Sequence, residues 1–358
     1  MKVSIIGTVG LPANYGGFES LVEQLVRHNE KNDLNYTVYC SAKSYDEKIH
    51  EYHGARLKYV GLNANGVQSI PYDIISLIKA SKDSDVILVL GVSGCSFLPI
   101  FRLFSRKRLI INIDGLEHQR DKWNKWARKF LKYSEAQAVK YADVIITDNK
   151  GITDYVTREY NKPSELIAYG GDHVIREVPQ NVQNEILKEY GVEKGKFSLG
   201  ICRIEPENNV HTILEAYSDM PTKKLIFIGN WQKNGYGMDL LEKYKDSPNI
   251  SLKTAEYNLD KLFALRNNCE LYLHGHSAGG TNPSLVEAMF FAKPIIAFDC
   301  VYNRESTENK ASYFKNVDSL KDILTSAINL RDNAQAMLEI ANRRYKWETI
   351  AKQYEALY

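Results

Sequence analysis

Short runs of apolar, mostly β-branched residues alternate along the chain with longer stretches in which apolar positions recur at helical spacing. In the first half these runs are residues 3–6, 36–40, 57–60, 86–90, 109–113 and 144–146. The pattern then begins again, with runs at 197–201, 224–228, 250–253, 271–274 and 294–298. Apolar strands separated by helices are typical of a parallel sheet covered on both faces. We therefore predict an α/β protein with two doubly wound, Rossmann-like domains.

A polar stretch, residues 178–184, separates the two series and contains Pro179. Polar composition with a proline is typical of a linker between domains. The prediction is a first domain over residues 1–177 and a second over residues 178–342. Apolar residues at helical spacing then indicate a terminal helix over residues 343–358.

Composition excludes several classes of function. The chain has 46 Lys and Arg against 44 Asp and Glu, and a net charge of +2 is too small for extensive binding to nucleic acid. Its five cysteines are odd in number and widely spaced, which favours reduced thiols in the cytosol over disulfides or a metal site. The N-terminal run reads as a first strand and not as a signal peptide. The uncharged stretch 86–101 is too short to span a bilayer and reads as strand, turn and helix.

A glycine-rich segment follows the first strand, and Gly16 and Gly17 immediately precede a helical pattern. The segment lacks the G-x-G-x-x-G spacing, so an oxidoreductase that binds a dinucleotide is a remote alternative. Glycines at a helix start let backbone N–H groups approach a phosphate. The other interpretation is a tight turn without a ligand.

A second candidate site follows the run 271–274, where small residues lead into a helix that carries Glu287 about one turn inside it. The first turn of a helix offers free N–H donors, and a carboxylate so placed can accept hydrogen bonds from ribose hydroxyls. The alternative is that Glu287 is an ordinary solvated helix residue.

Four segments in this order resemble the motifs of rhamnosyltransferase-type members of glycosyltransferase family 4. They are Gly10–Glu19 (GLPANYGGFE), Asp114–Glu117 (DGLE), Arg203–Asn209 (RIEPENN) and Gly279–Ala288 (GGTNPSLVEA). The resemblance implies a GT-B fold, in which the two domains face a central cleft and the terminal helix returns to the first domain. It also implies a retaining reaction without a metal or other cofactor.

Individual roles follow from the resemblance. Arg203 matches the arginine that holds the donor diphosphate, which suits a planar guanidinium. Glu287 matches the glutamate that binds the donor ribose, and Asp114 is the third candidate catalytic residue. The predicted contacts to the diphosphate are Gly16, Gly17, Asn208, Thr281, Asn282, Pro283, Ser284 and Leu285. The predicted contacts to the acceptor or to the transferred sugar are Tyr15, Asp114, Glu117, His118 and His276. For Asp114 a turn or N-cap role is the alternative, and a glycosidase-like carboxylate pair is the rival enzymatic interpretation.

Two positions depart from the pattern of many family members, which have a lysine where this chain has Asn208 and a glutamate where it has Gly279. A non-catalytic subunit that binds a nucleotide-sugar is therefore an alternative. The favoured reaction moves rhamnose from dTDP-rhamnose to a lipid-diphosphate-linked saccharide, and a UDP- or GDP-sugar donor is the nearest alternative.

Residues 97–108 and 122–132 combine aromatic and apolar residues with Lys and Arg. Such a composition is typical of a segment that lies at a membrane surface, although a packed face with a basic edge fits equally. The sequence thus predicts a cytoplasmic protein that contacts the inner face of a membrane through these two segments.

Overall fold

The computed structural model describes residues 1–13, 16–29, 34–113, 115–119, 123–326 and 331–358. These residues divide into two units, one formed by Met1–Tyr169 with Trp347–Tyr358 and the other by Gly170–Lys346. The division falls after Tyr169, whereas the sequence placed the domain boundary between residues 177 and 178. The last twelve residues belong to the first unit.

The first unit is built on an eight-stranded sheet with the order β3-β4-β2-β1-β5-β6-β7-β8. Its strands are β1 (Lys2–Ile6), β2 (Asn35–Ser41), β3 (Glu51–Tyr52), β4 (Ala55–Val60), β5 (Val86–Leu90), β6 (Arg108–Ile113), β7 (Val144–Thr147) and β8 (Glu165–Leu166). All neighbouring strands are parallel except the β3–β4 pair. The helices are α1 (Gly17–Arg27), α2 (Ser69–Asp83), α3 (Leu98–Phe104), α4 (Lys125–Tyr141) and α5 (Lys150–Tyr160). β5 is buried along its whole length, as expected for a central parallel strand.

The second unit has a six-stranded parallel sheet with the order β11-β10-β9-β12-β13-β14. Its strands are β9 (Ser198–Ile201), β10 (Leu225–Ile228), β11 (Ile250–Lys253), β12 (Leu271–His274), β13 (Ile295–Phe298) and β14 (Ser312–Phe314). The helices are α6 (Gln180–Glu189), α7 (Val210–Ser218), α8 (Gly235–Tyr244), α9 (Leu259–Asn268), α10 (Pro283–Met289), α11 (Val301–Ser306), α12 (Val317–Thr325) and α13 (Arg331–Arg344). The fold class predicted from the sequence, two Rossmann-like α/β units with parallel sheets, is confirmed.

The stretch 178–184 does not form an extended linker, because α6 begins at Gln180 and belongs to the second unit. Its polar residues have partners inside the fold. Gln183 donates from its side chain to the carbonyl oxygen of Val178 and accepts hydrogen bonds from Asn267 and Asn268. Composition alone therefore misread a helix whose polar positions are satisfied by neighbours distant in sequence.

The terminal helical pattern divides into two helices, α13 and α14 (Trp347–Glu355), and only α14 belongs to the first unit. Trp347, Ile350 and Tyr354 are buried in the same apolar cluster as strands β1 and β5. The Asn112 side chain, on β6, donates a hydrogen bond of 2.7 Å to the Tyr354 hydroxyl. This buried bond joins the end of the chain to the centre of the first sheet.

We expect Tyr354→Phe to lower the free energy of unfolding by about 1–3 kcal/mol, because it leaves the Asn112 amide without this buried acceptor. Tyr133→Phe, at a tyrosine that is 52% exposed, is the matched control. Urea unfolding of the two variants measures the difference. Equal stability of both would show that the bond between α14 and β6 contributes nothing.

Candidate functional site

The strand order reverses between β9 and β12 in the second unit and between β1 and β5 in the first. Open parallel sheets bind ligands at such points, in the crevice beyond the carboxyl ends of the strands. Arg203 follows β9, and the loop 275–282 follows β12, so both lie at the reversal of the second unit. The described part of the glycine-rich loop, residues 7–13, and the segment after β5 occupy the same place in the first unit.

Arg203 is half-buried at this edge. Its backbone carbonyl accepts hydrogen bonds from the Asn208 side chain and the Glu205 backbone. Among the described residues its guanidinium forms no hydrogen bond or ion pair. A cationic group fixed through its backbone and left open at its end is suited to bind an anion.

Asn208 links the two loops that border the reversal. Its side-chain nitrogen donates to the Arg203 carbonyl at 2.6 Å, and its side-chain oxygen lies 2.7 Å from Nδ1 of His276. Because the amide oxygen only accepts, Nδ1 of His276 carries the proton. Both polar ends of this buried amide are thus engaged by protein groups, and its assignment to the diphosphate stays a prediction.

His276 and the neighbouring His274 are both buried. The backbone carbonyl of His276 accepts a hydrogen bond of 2.8 Å from the Asn303 side chain. Burial lowers the pKa of His274 to about 3, so this imidazole stays neutral at physiological pH. The ring of His274 stacks on Tyr272, with 6.5 Å between the ring centroids.

Asn282 is the N-cap of α10, and its side chain accepts hydrogen bonds from the backbone N–H and hydroxyl of Ser284. The backbone N–H of Leu285 donates to the Asn282 carbonyl at 3.1 Å, and its side chain is fully buried. Thr281 is also buried. The amides of residues 284 and 285 are therefore engaged within the turn, and their predicted role at the diphosphate remains a prediction.

Glu287 is not a freely solvated helix residue. One carboxylate oxygen binds the buried guanidinium of Arg266, and the other lies 3.6 Å from Nε2 of His173. A Cβ on Gly171 would come within 3.0 Å of the Glu287 backbone nitrogen, so the segment 170–174 lies directly against α10. The sequence did not single out Arg266 or His173, because nothing in their own neighbourhood signals pairing with Glu287.

In the first unit, a carboxylate at the start of α1 holds the glycine-rich loop. Glu19 accepts hydrogen bonds from the Thr8 hydroxyl at 2.8 Å and from the Val9 backbone at 2.7 Å. Gly16 is the N-cap of α1, with φ of 134°, and a Cβ there would lie 1.9 Å from a Glu19 oxygen. Gly17 begins the helix against the Tyr169 ring. Only glycine fits at 16, and the first turn of α1 has no side-chain cap.

The loop after β6, described for residues 115–119 and called the β6 loop below, contains two of the predicted acceptor residues, Glu117 and His118. Glu117 accepts a hydrogen bond of 2.9 Å from the indole of Trp123, which precedes α4. His118 binds the buried carboxylate of Glu135 at 3.0 Å. Asp114 and Tyr15 lie outside the described residues.

Asp73, on α2, is a buried acidic residue beneath the turn at Gly94 that follows β5. Burial raises its pKa to about 8, although a hydrogen bond from the Gly94 backbone opposes the shift.

In the described ranges, no group of three or more His, Cys, Asp or Glu side chains is placed to hold a metal ion. No helix there is long and apolar enough to cross a membrane.

Two family models match the chain, one over most of each unit. Residues 182–344 match "Glycosyl transferases group 1", and residues 1–172 match "Domain of unknown function (DUF1972)". No curated protein matches the sequence.

Solved structures match over almost the whole length. Sucrose-phosphate synthase from Thermosynechococcus elongatus superposes with a TM-score of 0.82 at 14% identity, covering 100% of this chain and 98% of that one. HepE from Anabaena, solved in complex with UDP, gives 0.77 at 14% identity, covering 99% and 98%. The catalytic domain of starch synthase IV from Arabidopsis thaliana, bound to ADP and acarbose, gives 0.71 at 11% identity, covering 99% and 98%.

These likenesses establish the fold as GT-B. With the glycosyl transferases group 1 domain in its second unit, the protein is a glycosyltransferase. The alternatives of an oxidoreductase, a glycosidase and a non-catalytic subunit are therefore set aside.

The raised pKa of Asp73 should make the stability of the protein depend on pH. Between its ordinary pKa of 3.8 and its folded value of about 8, the folded state keeps a proton that the unfolded chain releases, so stability falls as pH rises through this range. Asp73→Asn removes this penalty and keeps an acceptor for Gly94. We expect the gain in free energy of unfolding of Asp73→Asn over the parent protein to be about 2–5 kcal/mol larger at about pH 8 than at about pH 4.

Denaturant unfolding across this pH range, with the exposed Asp46→Asn as control, measures the effect. A constant difference between Asp73→Asn and the parent protein at every pH would show that Asp73 ionises normally in the folded state.

Proposed function

We propose that the protein is a retaining, metal-independent glycosyltransferase that moves rhamnose from dTDP-rhamnose to a lipid-diphosphate-linked saccharide in surface polysaccharide assembly. The second unit binds the donor, and the first unit binds the acceptor. The observation that carries the proposal is the placement of Arg203 and Glu287 at the strand-order reversal of the second unit.

Arg203 is the group that neutralises the donor diphosphate. Its open guanidinium stands at the edge where parallel sheets bind ligands, two residues beyond the end of β9. A positive charge already in place stabilises negative charge as it develops on the departing diphosphate, without reorganisation at the moment of reaction. This function requires no dedicated general acid.

Glu287 receives the donor ribose. Arg266 engages one of its carboxylate oxygens and so fixes the orientation of the group. The other oxygen, which faces His173 at 3.6 Å, is beyond ordinary hydrogen-bond length from that ring and can accept a ribose hydroxyl.

The four motifs resemble those of rhamnosyltransferases, which favours dTDP-rhamnose. The structures of Anabaena HepE with UDP and with UDP-glucose favour a UDP-sugar as the second candidate. Both donor candidates would use the same contacts, Glu287 to the ribose and Arg203 to the diphosphate.

Exposed apolar side chains at two places on the first unit support the lipid-linked acceptor. Ile100, Leu103 and Phe104 on α3 are 54%, 84% and 57% exposed, and Trp126 at the start of α4 is 80% exposed. Basic residues accompany both places, namely Arg106 and Lys107 after α3 and Lys125 and Lys129 on α4, and the Lys129 ammonium lies 5.5 Å from the centre of the Trp126 ring. Exposed apolar side chains among cations fit an anionic membrane surface on the cytoplasmic side. Phe130 and Leu131 are half-buried and belong to the packed side of α4.

The direct test offers purified protein a panel of dTDP-, UDP- and GDP-sugars with a short lipid diphosphate sugar, and detects products by mass spectrometry. We expect transfer from dTDP-rhamnose with retention of anomeric configuration. In the same assay Arg203→Ala should lose about 2–4 kcal/mol of transition-state stabilisation in kcat/KM, as expected when one charge-stabilising group is removed.

Arg343→Ala is the matched control, since that arginine is 62% exposed and pairs with Glu308 on the surface of the same unit. Transfer only from another nucleotide would overturn the donor, and inversion of configuration would overturn the stereochemistry. Unchanged kcat/KM in Arg203→Ala would exclude its role.

We expect Leu103→Ser combined with Trp126→Ala to reduce sedimentation with vesicles of anionic phospholipid by about tenfold, because each change removes an exposed apolar side chain. The control combines Val67→Ser with Lys79→Ala, which removes an exposed apolar residue and an exposed lysine elsewhere on the unit. Equal sedimentation of the two double variants would rule out these two places as membrane contacts.

A further inference from the structure

Glu135, on α4, is a buried carboxylate that the site described above does not use. It is 2% exposed and lies at the meeting point of α4, α5 and the β6 loop. The Tyr155 and Tyr160 hydroxyls donate to one oxygen at 2.7 and 2.5 Å, and Lys132 approaches the same oxygen at 3.5 Å. His118 binds the other oxygen through Nδ1 at 3.0 Å.

The ionisation of Glu135 determines the tautomer of His118. Burial raises the pKa of Glu135, but hydrogen bonds from His118, Tyr160 and Tyr155 outweigh it, so the pKa lies below its ordinary value. The group is therefore a carboxylate, which only accepts hydrogen bonds. It follows that Nδ1 of His118 carries a proton and that Nε2 is the ring atom left for other contacts.

Nε2 has only a long contact within the network. It lies 3.5 Å from the Tyr155 hydroxyl, which already donates to Glu135 and accepts a hydrogen bond from Lys132. A contact of this length contributes little compared with a hydrogen bond near 2.9 Å. The His118 side chain is 13% exposed, so part of it remains accessible to solvent.

His118 lies at the edge of the first sheet where open parallel sheets bind ligands. The residue follows β6, which lies between β5 and β7, at the carboxyl edge of the first sheet. Glu117 beside it is held by Trp123, and Glu135 holds the histidine from beneath. Carboxylates that fix the tautomer and ring orientation of a histidine in this way are a recurrent feature of functional imidazoles.

We infer that Glu135 is a positioning residue that holds His118 as the Nδ1–H tautomer, so that Nε2 accepts a hydrogen bond from one hydroxyl of the acceptor saccharide. His118 thereby determines which hydroxyl is presented for transfer. This inference rests on the proposed assignment of the acceptor to the first unit.

The first experiment follows the ring directly, without turnover. In protein labelled with ¹⁵N at histidine, we expect His118 to show a protonated Nδ1, and Glu135→Gln to convert it to a mixture of tautomers. A ring that carries its proton on Nε2 in the parent protein would overturn the inference, as would an unchanged tautomer in Glu135→Gln.

The second experiment separates acceptor from donor. His118→Asn keeps a donor near the position of Nδ1 for Glu135 but lacks the second nitrogen. We expect it to reduce kcat/KM for the acceptor about tenfold to hundredfold and to leave KM for the donor unchanged, since one hydrogen bond to substrate is lost. Glu135→Gln should show a similar loss, and Glu135→Asp, which keeps the charge, should recover part of it.

Tyr133→Phe, on the exposed side of α4, is the control for both measurements. If Glu135→Gln fails to fold, His118→Asn decides the question, because it preserves a partner for the buried carboxylate. Unchanged acceptor kinetics in folded His118→Asn would overturn the inference while leaving the proposed transferase activity intact. Absence of transfer by the parent protein would instead count against the proposed function, and the tautomer measurement would still test the Glu135–His118 pair.

Discussion

The sites of both units depend on one steric constraint, the close approach of a loop to a neighbouring backbone where the strand order reverses. A Cβ on Gly7 would lie 2.0 Å from the Leu90 carbonyl oxygen, and a Cβ on Gly275 would lie 2.0 Å from that of Asn208. Any side chain there would push the loop away from the crevice. Because glycine permits the contact, the loops that bear the candidate ligand groups lie close to the ends of two adjacent strands.

Loops brought so close must satisfy their polar groups internally, and each uses a side chain from a neighbouring element. Glu19 holds the loop after β1, and Asn208 connects the loops after β9 and β12. Asn209 adds a hydrogen bond of 2.9 Å to the Gly275 carbonyl. These buried bonds are costly to break, since a polar group left unsatisfied loses its hydration without compensation. These hydrogen bonds fix the loop backbones, which leaves side chains such as that of Arg203 available for other contacts.

The sequence predicted the central strands because burial on both faces makes them continuously apolar, as in β5 and β12. It missed β3, β8 and β14, which are only two or three residues long, and it misread α6, whose polar residues are paired within the fold. At the candidate site, motif resemblance pointed to Arg203 and Glu287, and their roles stay predictions. The partners that orient such groups, among them Arg266 and Glu135, come from distant elements, and no local pattern records a pairing that only the tertiary structure creates.

This chain has Asn208 where many members of the resembled family have a lysine, so it has a hydrogen-bonding amide in place of a charge. A lysine there would place a second cation beside Arg203, whereas the amide donates to the Arg203 backbone and accepts from His276. The exchange thus removes a charge from the site and adds a rigid connection between its two loops. In the proposed donor site, stabilisation of the diphosphate would then depend more on where Arg203 is held than on the total positive charge. Preorganisation of one well-placed cation is effective in a site that excludes water, because a fixed charge there is worth more than a mobile one in solvent.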